Sequence, residues 1–188
     1  EVKRDFNHPS VIGWCPFNET WDQGGHRQYD DLLALVYHTT KAIDSTRPCI
    51  DTSGHYHVVT DVYDDHDYDQ NPETFRERYV DLNGYGARRF NREYFPYQGI
   101  PFFLSEFGGT WWAPGREDGW GYGNQPKTEE EVITRMEGLF AALLDNPKIC
   151  GYCYTQLTDV EQEQNGIYTY NRGKKFSDEN YARIRAAQ

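Results

Sequence analysis

Short apolar runs alternate with amphipathic stretches along the chain. Five runs have the length and composition of buried strands: residues 11–17, 49–52, 58–63, 101–105 and 149–155. Residues 29–44 repeat apolar side chains at helical spacing, which predicts a helix with one apolar face. Further helices are predicted in parts of residues 73–95, after a capping box at Thr128, and after Ser177. The alternation indicates an α/β fold with a parallel sheet.

Polar and aromatic residues gather just after the C-terminal ends of these runs, where parallel α/β proteins place ligand sites. Two carboxylates stand out: Glu19 follows the first run, and Glu106 follows the fourth. A retaining glycosidase needs two carboxyl groups ~5–5.5 Å apart, one as acid/base and one as nucleophile. Spacing alone leaves a second interpretation open, in which both are solvated loop residues.

Composition narrows the choice of partners. The 188 residues carry a formal net charge of -11, which argues against nucleic acid and against an anionic membrane surface. No apolar run approaches the ~20 residues of a membrane span, so we expect no membrane insertion. Aromatic residues make up 16% of the chain, which is too many for a disordered protein. An acidic, aromatic-rich chain suits a neutral polar ligand with apolar faces, such as a carbohydrate.

The side chains that bind metals or carry redox chemistry form no recognisable site in the sequence. Cysteines at positions 15, 49, 150 and 153 lie in or beside apolar runs, which predicts buried free thiols. His55 and His57 lack an evident third metal ligand. The aspartates of residues 64–69 lack the pattern of a calcium-binding loop, so we expect solvated residues or contacts with sugar hydroxyls. We therefore predict no metal and no cofactor.

Three segments of the chain form recognisable motifs. Residues 4–14, with the sequence RDFNHPSVIGW, continue to Asn18 and Glu19; residues 103–108 read FLSEFG, and residues 166–172 read GIYTYNR. In this order they resemble the acid/base signature, the nucleophile strand and the barrel-closing segment of glycoside hydrolase family 2, which contains β-galactosidases, β-glucuronidases and β-mannosidases. The resemblance covers essentially the whole chain. It implies a (β/α)8 barrel and retaining hydrolysis of a β-glycoside, with Glu19 as acid/base and Glu106 as nucleophile.

The resemblance and the residue types also point to five residues that contact the sugar. Asn18 is a candidate donor to the sugar 2-OH. In the family, a tyrosine of the third of these strands commonly contacts the nucleophile; Tyr63 is the candidate here, and His66 follows it. Trp111 and Trp112 come after the nucleophile and would either stack on a sugar face or pin their loop. Tyr63 and His66 have an alternative interpretation as satisfied polar residues at a strand end.

The surroundings of the acid/base can be predicted as well. We expect Trp14 or Trp21 to lie beside Glu19, where an indole would desolvate the carboxylate and favour its protonated form.

For the sugar that the enzyme hydrolyses, we favour a β-galactosidase-like specificity. The glucuronidase subgroup usually carries an Asn-x-Lys motif before the closing segment, whereas residues 161–166 contain no lysine. Lys174 and Lys175 come later and keep a β-glucuronidase as the alternative. A rival from another class is a non-catalytic carbohydrate-binding barrel fragment.

The resemblance begins just before the fourth barrel strand. The predicted fold class is therefore α/β, a partial (β/α)8 TIM barrel with about strands 4 to 8 and their helices. Residues 1–188 would form the C-terminal portion of one catalytic barrel, with the N-terminal barrel units and sandwich domains absent. Exposed strand edges then predict self-association, or pairing with the missing barrel half, and little activity of this segment alone. No signal peptide is visible in these residues, and we expect a soluble protein that is either cytoplasmic or secreted or periplasmic, with any signal region outside this chain.

Overall fold

The computed structural model describes residues 1–20, 27–54, 56–83, 85, 96–116 and 118–188. In these ranges, the helices and strands in chain order are α1 Val2–Asp5, α2 Asp30–Ile43, β1 Tyr63–Asp67, α3 Pro72–Arg78, β2 Phe102–Gly108, α4 Glu129–Leu144, β3 Ile149–Thr155 and α5 Asp178–Ala186. The strands form one parallel sheet in the order β1-β2-β3. The predicted α/β class is confirmed, and the place of these strands in a barrel stays a prediction. None of the described helices is long and apolar enough for a membrane crossing.

The chain divides into two compact units. The first contains residues 1–66 and 81–105, and the second contains residues 67–80 and 106–188. Strands β1 and β2 contribute residues to both units.

In the first unit, two of the predicted strands appear as a short stretch of parallel backbone pairing. Trp14 pairs with Cys49, and Asn18 pairs with Ser53. The pairing continues to Glu19, whose backbone N–H donates to the carbonyl oxygen of Ser53 at 2.8 Å. It therefore places Glu19 beside the loop that begins at Ser53.

Strand β1 lies later in the chain than the pattern predicts. The predicted strand at residues 58–63 overlaps β1 only at Tyr63, and β1 continues through Asp64, Asp65, His66 and Asp67, all buried. We expected these aspartates to be solvated or to contact sugar hydroxyls, and the solvated interpretation is wrong for the three within β1. Each is supplied with donors: the Tyr85 hydroxyl donates to Asp65 at 2.6 Å, the Tyr79 hydroxyl donates to Asp67 at 2.7 Å, and Asp64 accepts from the hydroxyl of Ser105 and from the backbone N–H of Gly54. Hydrogen bonding is the condition under which a carboxylate can be buried.

The second unit is held together by an aromatic cluster and by helix packing. Phe107 of β2 makes edge-to-face contacts with Phe140 of α4 and with Tyr152 and Tyr154 of β3, at ring-centroid distances of 5.5–5.7 Å. Helix α4 starts at the predicted cap, where the Thr128 hydroxyl accepts from the backbone N–H of Glu131. Helix α4 packs against both α3 and α5.

The four cysteines are free, as predicted, but only Cys49 is buried. Cys15, Cys150 and Cys153 are exposed in the described structure, so the prediction of buried thiols is wrong for three of them. For Cys150 and Cys153 the reason is that no residue of β3 is fully buried. Partial burial still raises the pKa of the Cys15 thiol to about 11, which keeps it in the thiol form at neutral pH.

A buried histidine links two carboxylates in the first unit. His57 Nδ1 lies 2.7 Å from Asp51 Oδ1, and its Nε2 lies 2.9 Å from Asp64 Oδ1. Asp64 Oδ1 has no other hydrogen-bond partner within the described residues. A neutral His57 has one ring proton and could donate to only one of the two carboxylates, whereas the imidazolium donates to both. Burial by itself lowers the pKa of His57, but the hydrogen bonds and charges of Asp51 and Asp64 outweigh it and raise this pKa to about 10.

This arrangement predicts a pH-dependent stability. The folded-state pKa of His57 lies above the ordinary value of 6.5, so its contribution is complete below about pH 6.5 and disappears as the pH rises through about 10. We expect His57→Gln to lower the unfolding free energy by about 3–5 kcal/mol at pH 6, because it leaves buried carboxylates without their cation. Urea unfolding at pH 6 and at pH 10 measures both effects. A wild-type-minus-variant difference that does not shrink at pH 10 would show that His57 is neutral.

Candidate active site

The first cluster of candidate residues, here called the Glu19 cluster, consists of Glu19, His66, Ser53, Asp64 and Ser105. Glu19 ends the parallel pairing in the left-handed region, at φ 51°, which is costly for a residue other than glycine. Its Oε1 lies 2.6 Å from Nδ1 of His66. The side chain of Glu19 is 30% exposed, whereas that of His66 is 1% exposed. A reachable carboxylate is therefore held by a buried imidazole.

The other members of the Glu19 cluster lie behind His66. Its Nε2 is 2.7 Å from the hydroxyl oxygen of Ser53, and Ser53 in turn lies 3.1 Å from Asp64 Oδ2 and from the hydroxyl of Ser105. Gly54 follows Ser53 at φ +116°, a conformation that strains other residues, and its N–H donates to Asp64 Oδ2 at 3.1 Å. The glycine conformation thus brings a backbone donor to the buried carboxylate.

The second cluster, here called the Glu106 cluster, lies in the second unit and consists of Glu106, Tyr68 and Tyr122. The hydroxyl of Tyr68 donates a short hydrogen bond to Glu106 Oε2. Burial, together with the hydrogen bond and the charge of Glu106, raises the pKa of Tyr68, so the phenol keeps the proton that it donates. The ring of Tyr68 stacks on Tyr122 at a centroid distance of 3.5 Å. Gly109 makes room for this stack, because a Cβ there would lie 2.6 Å from the Tyr122 ring.

The contact predicted for Tyr63 is made by Tyr68 instead. Side chains alternate between the two faces of a strand, so Tyr63 and Asp65 share one face of β1, and Asp64 and His66 share the other. Tyr63 is 1% exposed and stacks on Phe102 at 5.6 Å, in the core of the first unit. The predicted strand ended at Tyr63, whereas β1 begins there and ends at Asp67. The tyrosine that follows the strand and contacts Glu106 is therefore Tyr68.

The remaining predicted residues lie in different surroundings. Asn18 is exposed and pairs through its backbone with Ser53. The indole N–H of Trp14 donates to Asp44 at 2.9 Å, and a place for this ring beside Glu19 stays a prediction. Trp21 and His55 lie outside the described residues.

Trp111 and Trp112 are half-buried in the second unit. Trp112 stacks on Phe176 with an interplanar angle of 9°. A Cβ on Gly121 would come within 2.5 Å of Trp111, so backbone packs closely on this residue. Both indole N–H groups are buried without an acceptor among the described residues. The contacts of Trp112 favour the loop-pinning interpretation, and the unpaired N–H groups leave donors for an oxygen-rich ligand.

Three residues that contact the candidate carboxylates or their partners were missed in the sequence: Ser53, Tyr68 and Tyr122. Tyr68 lies in the acidic run that we took for a loop, two positions after His66. The H-x-Y spacing near the strand end was the signal available for Tyr68. Ser53 and Tyr122 carry no local signal, because their partners are distant in sequence.

Comparison with known proteins gives the family. Residues 1–110 match the family described as glycosyl hydrolases family 2, TIM barrel domain. A search of curated proteins found no significant match.

Similar solved structures include a β-D-glucuronidase of Dictyoglomus thermophilum, at 19% identity and a TM-score of 0.67, covering 99% of this chain and 33% of that one. A β-galacturonidase of Eisenbergiella tayi bound to galacturonate has 16% identity and a TM-score of 0.65, with 99% and 35% covered. A Ruminococcus gnavus β-glucuronidase in complex with D-glucuronic acid has 18% identity and a TM-score of 0.65, with 100% and 34% covered. The chain thus spans about a third of the length of these proteins. With the family match over more than half of its residues, the chain belongs to glycosyl hydrolase family 2.

Proposed function

We propose that the natural full-length protein is a retaining exo-β-glycosidase, with Glu106 as nucleophile and Glu19 as acid/base. The observation that carries this proposal is the different surroundings of the two glutamates. Glu106 accepts a short hydrogen bond from Tyr68, a phenol whose raised pKa keeps it the donor. Glu19 faces the buried imidazole of His66, whose Nδ1 lies 2.6 Å from Glu19 Oε1, and its own side chain is partly exposed.

The reaction proceeds in two steps. Glu106 attacks the anomeric carbon and forms a glycosyl ester, while Glu19 gives a proton to the departing oxygen. Glu19 then takes a proton from water, which attacks the same carbon and releases Glu106. Tyr68 stabilises the carboxylate of Glu106 before attack and again when it is released. Asn18 is the proposed donor to the sugar 2-OH, a bond that strengthens in the transition state.

The alternative class, a non-catalytic carbohydrate-binding protein, is separated from this proposal by trapping the ester. An activated 2-deoxy-2-fluoro-glycoside should form a stable adduct on Glu106, located by peptide mass spectrometry. Glu106→Gln should not be labelled, whereas Glu73→Gln, on the first turn of α3, should be labelled like the wild type. Sugar binding without an adduct would support the non-catalytic alternative, and an adduct on another residue would overturn the assignment.

A neutral β-galactoside is the proposed substrate class. Lys174 and Lys175 are the two lysines that could bind the carboxylate of a uronic acid. Lys175 is almost fully buried and pairs with Asp159 at 2.7 Å. Lys174 is exposed and pairs with Asp178. Asn165 is buried and donates to the side chain of Glu163 at 3.0 Å. The carboxylate of Glu163 adds a negative charge to this segment. Both lysines of this segment are thus already paired with aspartates, so neither is available to bind a sugar carboxylate.

The second candidate is a β-uronide, favoured by the named activities of the similar structures, two β-glucuronidases and a β-galacturonidase. We expect nitrophenyl β-galactoside to be hydrolysed at least roughly tenfold faster than the β-glucuronide, because an unpaired carboxylate is costly to desolvate. Comparing kcat/KM for the two substrates measures this preference. A faster rate on the glucuronide would replace the galactoside in the proposal and leave the two glutamates in place.

The isolated 188-residue segment is expected to self-associate or to pair with further barrel units. Several large apolar side chains support this expectation, since Ile12, Leu35 and Leu157 are 63–84% exposed. We expect sedimentation to show oligomers and a fluorogenic galactoside to be hydrolysed slowly or not at all, because substrate positioning is incomplete. A stable monomer with the turnover of the full-length protein would contradict this prediction.

A further inference from the structure

A buried line of hydrogen bonds leads from Asp64 to the carboxylate of Glu19. Asp64 Oδ2 lies 3.1 Å from the hydroxyl of Ser53, this hydroxyl lies 2.7 Å from His66 Nε2, and His66 Nδ1 lies 2.6 Å from Glu19 Oε1. Both ring nitrogens of His66 are therefore engaged, and the partner of one nitrogen determines the proton on the other. The direction of these bonds decides which atom of Glu19 carries a proton.

The donors around Asp64 favour one direction. Asp64 Oδ2 already accepts from the backbone N–H of Gly54 and, in a short bond, from the hydroxyl of Ser105. The single proton of the Ser53 hydroxyl is therefore not needed at Asp64, and its shortest contact is with His66 Nε2. If Ser53 donates along this shortest contact, Nε2 is the unprotonated nitrogen of a neutral ring. The ring proton lies on Nδ1 and points at Glu19 Oε1.

The opposite tautomer would have a chemical consequence. An unprotonated Nδ1 would face Glu19 Oε1 at 2.6 Å, and two lone pairs at that distance repel each other. Glu19 would have to place its own proton between the two atoms, where no leaving group can receive it. With Nδ1 protonated, Oε1 accepts from His66 and the acid proton is confined to Oε2.

We propose that Ser53 is a positioning residue of the acid/base, which acts through His66 by holding the tautomer that reserves the Oε2 proton of Glu19 for the leaving group. The proposal rests on the proposed role of Glu19. Protons balance through both steps: the Oε2 proton leaves with the aglycone oxygen, and a proton of the attacking water returns to Oε2. His66 keeps its Nδ1 proton throughout and transfers none.

The test compares kcat/KM for two glycosides of the same sugar in the full-length protein. A dinitrophenyl aglycone departs without protonation, whereas a phenyl aglycone needs the acid. We expect Ser53→Ala to lower kcat/KM for the phenyl glycoside about 10–100-fold, part of the ~10²–10⁴ that general acid catalysis contributes, and to change the dinitrophenyl value less than about twofold. Ser53→Thr, which keeps a hydroxyl, should restore most of the phenyl activity.

A matched control separates this effect from the loss of any buried hydroxyl. Thr60 is 7% exposed in the same unit, and its hydroxyl donates to the carbonyl oxygen of Val62 at 2.7 Å. Thr60→Val should lower both rates equally or neither. Should Ser53→Ala fail to fold, Ser53→Cys retains the shape with a weaker donor, and the same selective loss is expected.

Two results would overturn the positioning role. Equal losses on both glycosides would make Ser53 purely structural, and no loss on either would show that the tautomer does not depend on it. The same two glycosides are measured with Glu19→Ala, so that failure of the acid/base role of Glu19 can be told apart from failure of the positioning role of Ser53. If Glu19→Ala shows no selective loss on the phenyl glycoside, the proposed function fails, whereas a selective loss there without one in Ser53→Ala removes only the role of Ser53.

Discussion

Replacing Glu106 with glutamine should reduce turnover of every glycoside roughly 10⁴–10⁶-fold, the scale on which enzymes lose activity when a reacting group is removed. The amide has the shape of the carboxylate and can still accept from Tyr68, but it cannot form the glycosyl ester. Steady-state rates with a dinitrophenyl glycoside make the measurement, since this substrate needs no acid. A good leaving group should therefore not rescue the variant.

Two controls accompany Glu106→Gln. An unchanged unfolding midpoint shows that the loss is chemical, and Glu73→Gln should retain wild-type turnover because Glu73 lies in the first turn of α3, outside the Glu106 cluster. Near-normal turnover of Glu106→Gln would show that Glu106 is not the nucleophile and that another residue forms the glycosyl ester.

Replacing Glu19 with alanine should affect the two steps differently. For a phenyl glycoside, kcat/KM should fall roughly 10²–10⁴-fold because the departing oxygen loses its proton donor. For a dinitrophenyl glycoside, kcat/KM should stay near the wild-type value, while kcat falls because water loses its base. Azide needs no base, so it should restore kcat and give a glycosyl azide with retained configuration.

The configuration of the azide product separates the two carboxylates. In Glu19→Ala, azide attacks the ester on Glu106, and two inversions give retention. In Glu106→Ala, azide would attack the substrate directly, and one inversion gives the opposite anomer. Product analysis by NMR distinguishes these outcomes. A retained product from Glu106→Ala would mean that the roles of the two residues are exchanged.

The sequence by itself determined the elements whose signals are local. The predicted helix at residues 29–44 corresponds to α2, Asp30–Ile43, and Thr128 and Ser177 cap α4 and α5, because apolar periodicity and capping act within one or two turns. The run at residues 149–155 coincides with β3 for the same reason. The motifs also located Glu19 and Glu106, whose chemical roles remain proposals.

Only the tertiary structure decided where β1 begins and what its charged residues do. A run of four acidic residues in six positions is typical of a solvated loop, and nothing local shows that Ser105, Tyr79 and Tyr85 supply the donors that allow burial. Tyr68, directly after the end of β1, is the partner of Glu106, whereas Tyr63 stacks on Phe102. Ser53 became part of the Glu19 cluster only when parallel backbone pairing, which joins residues 35 positions apart, brought it beside His66. Long-range pairing is absent from local periodicity, and for this reason the carboxylates could be found in the sequence while most of the residues that hold them could not.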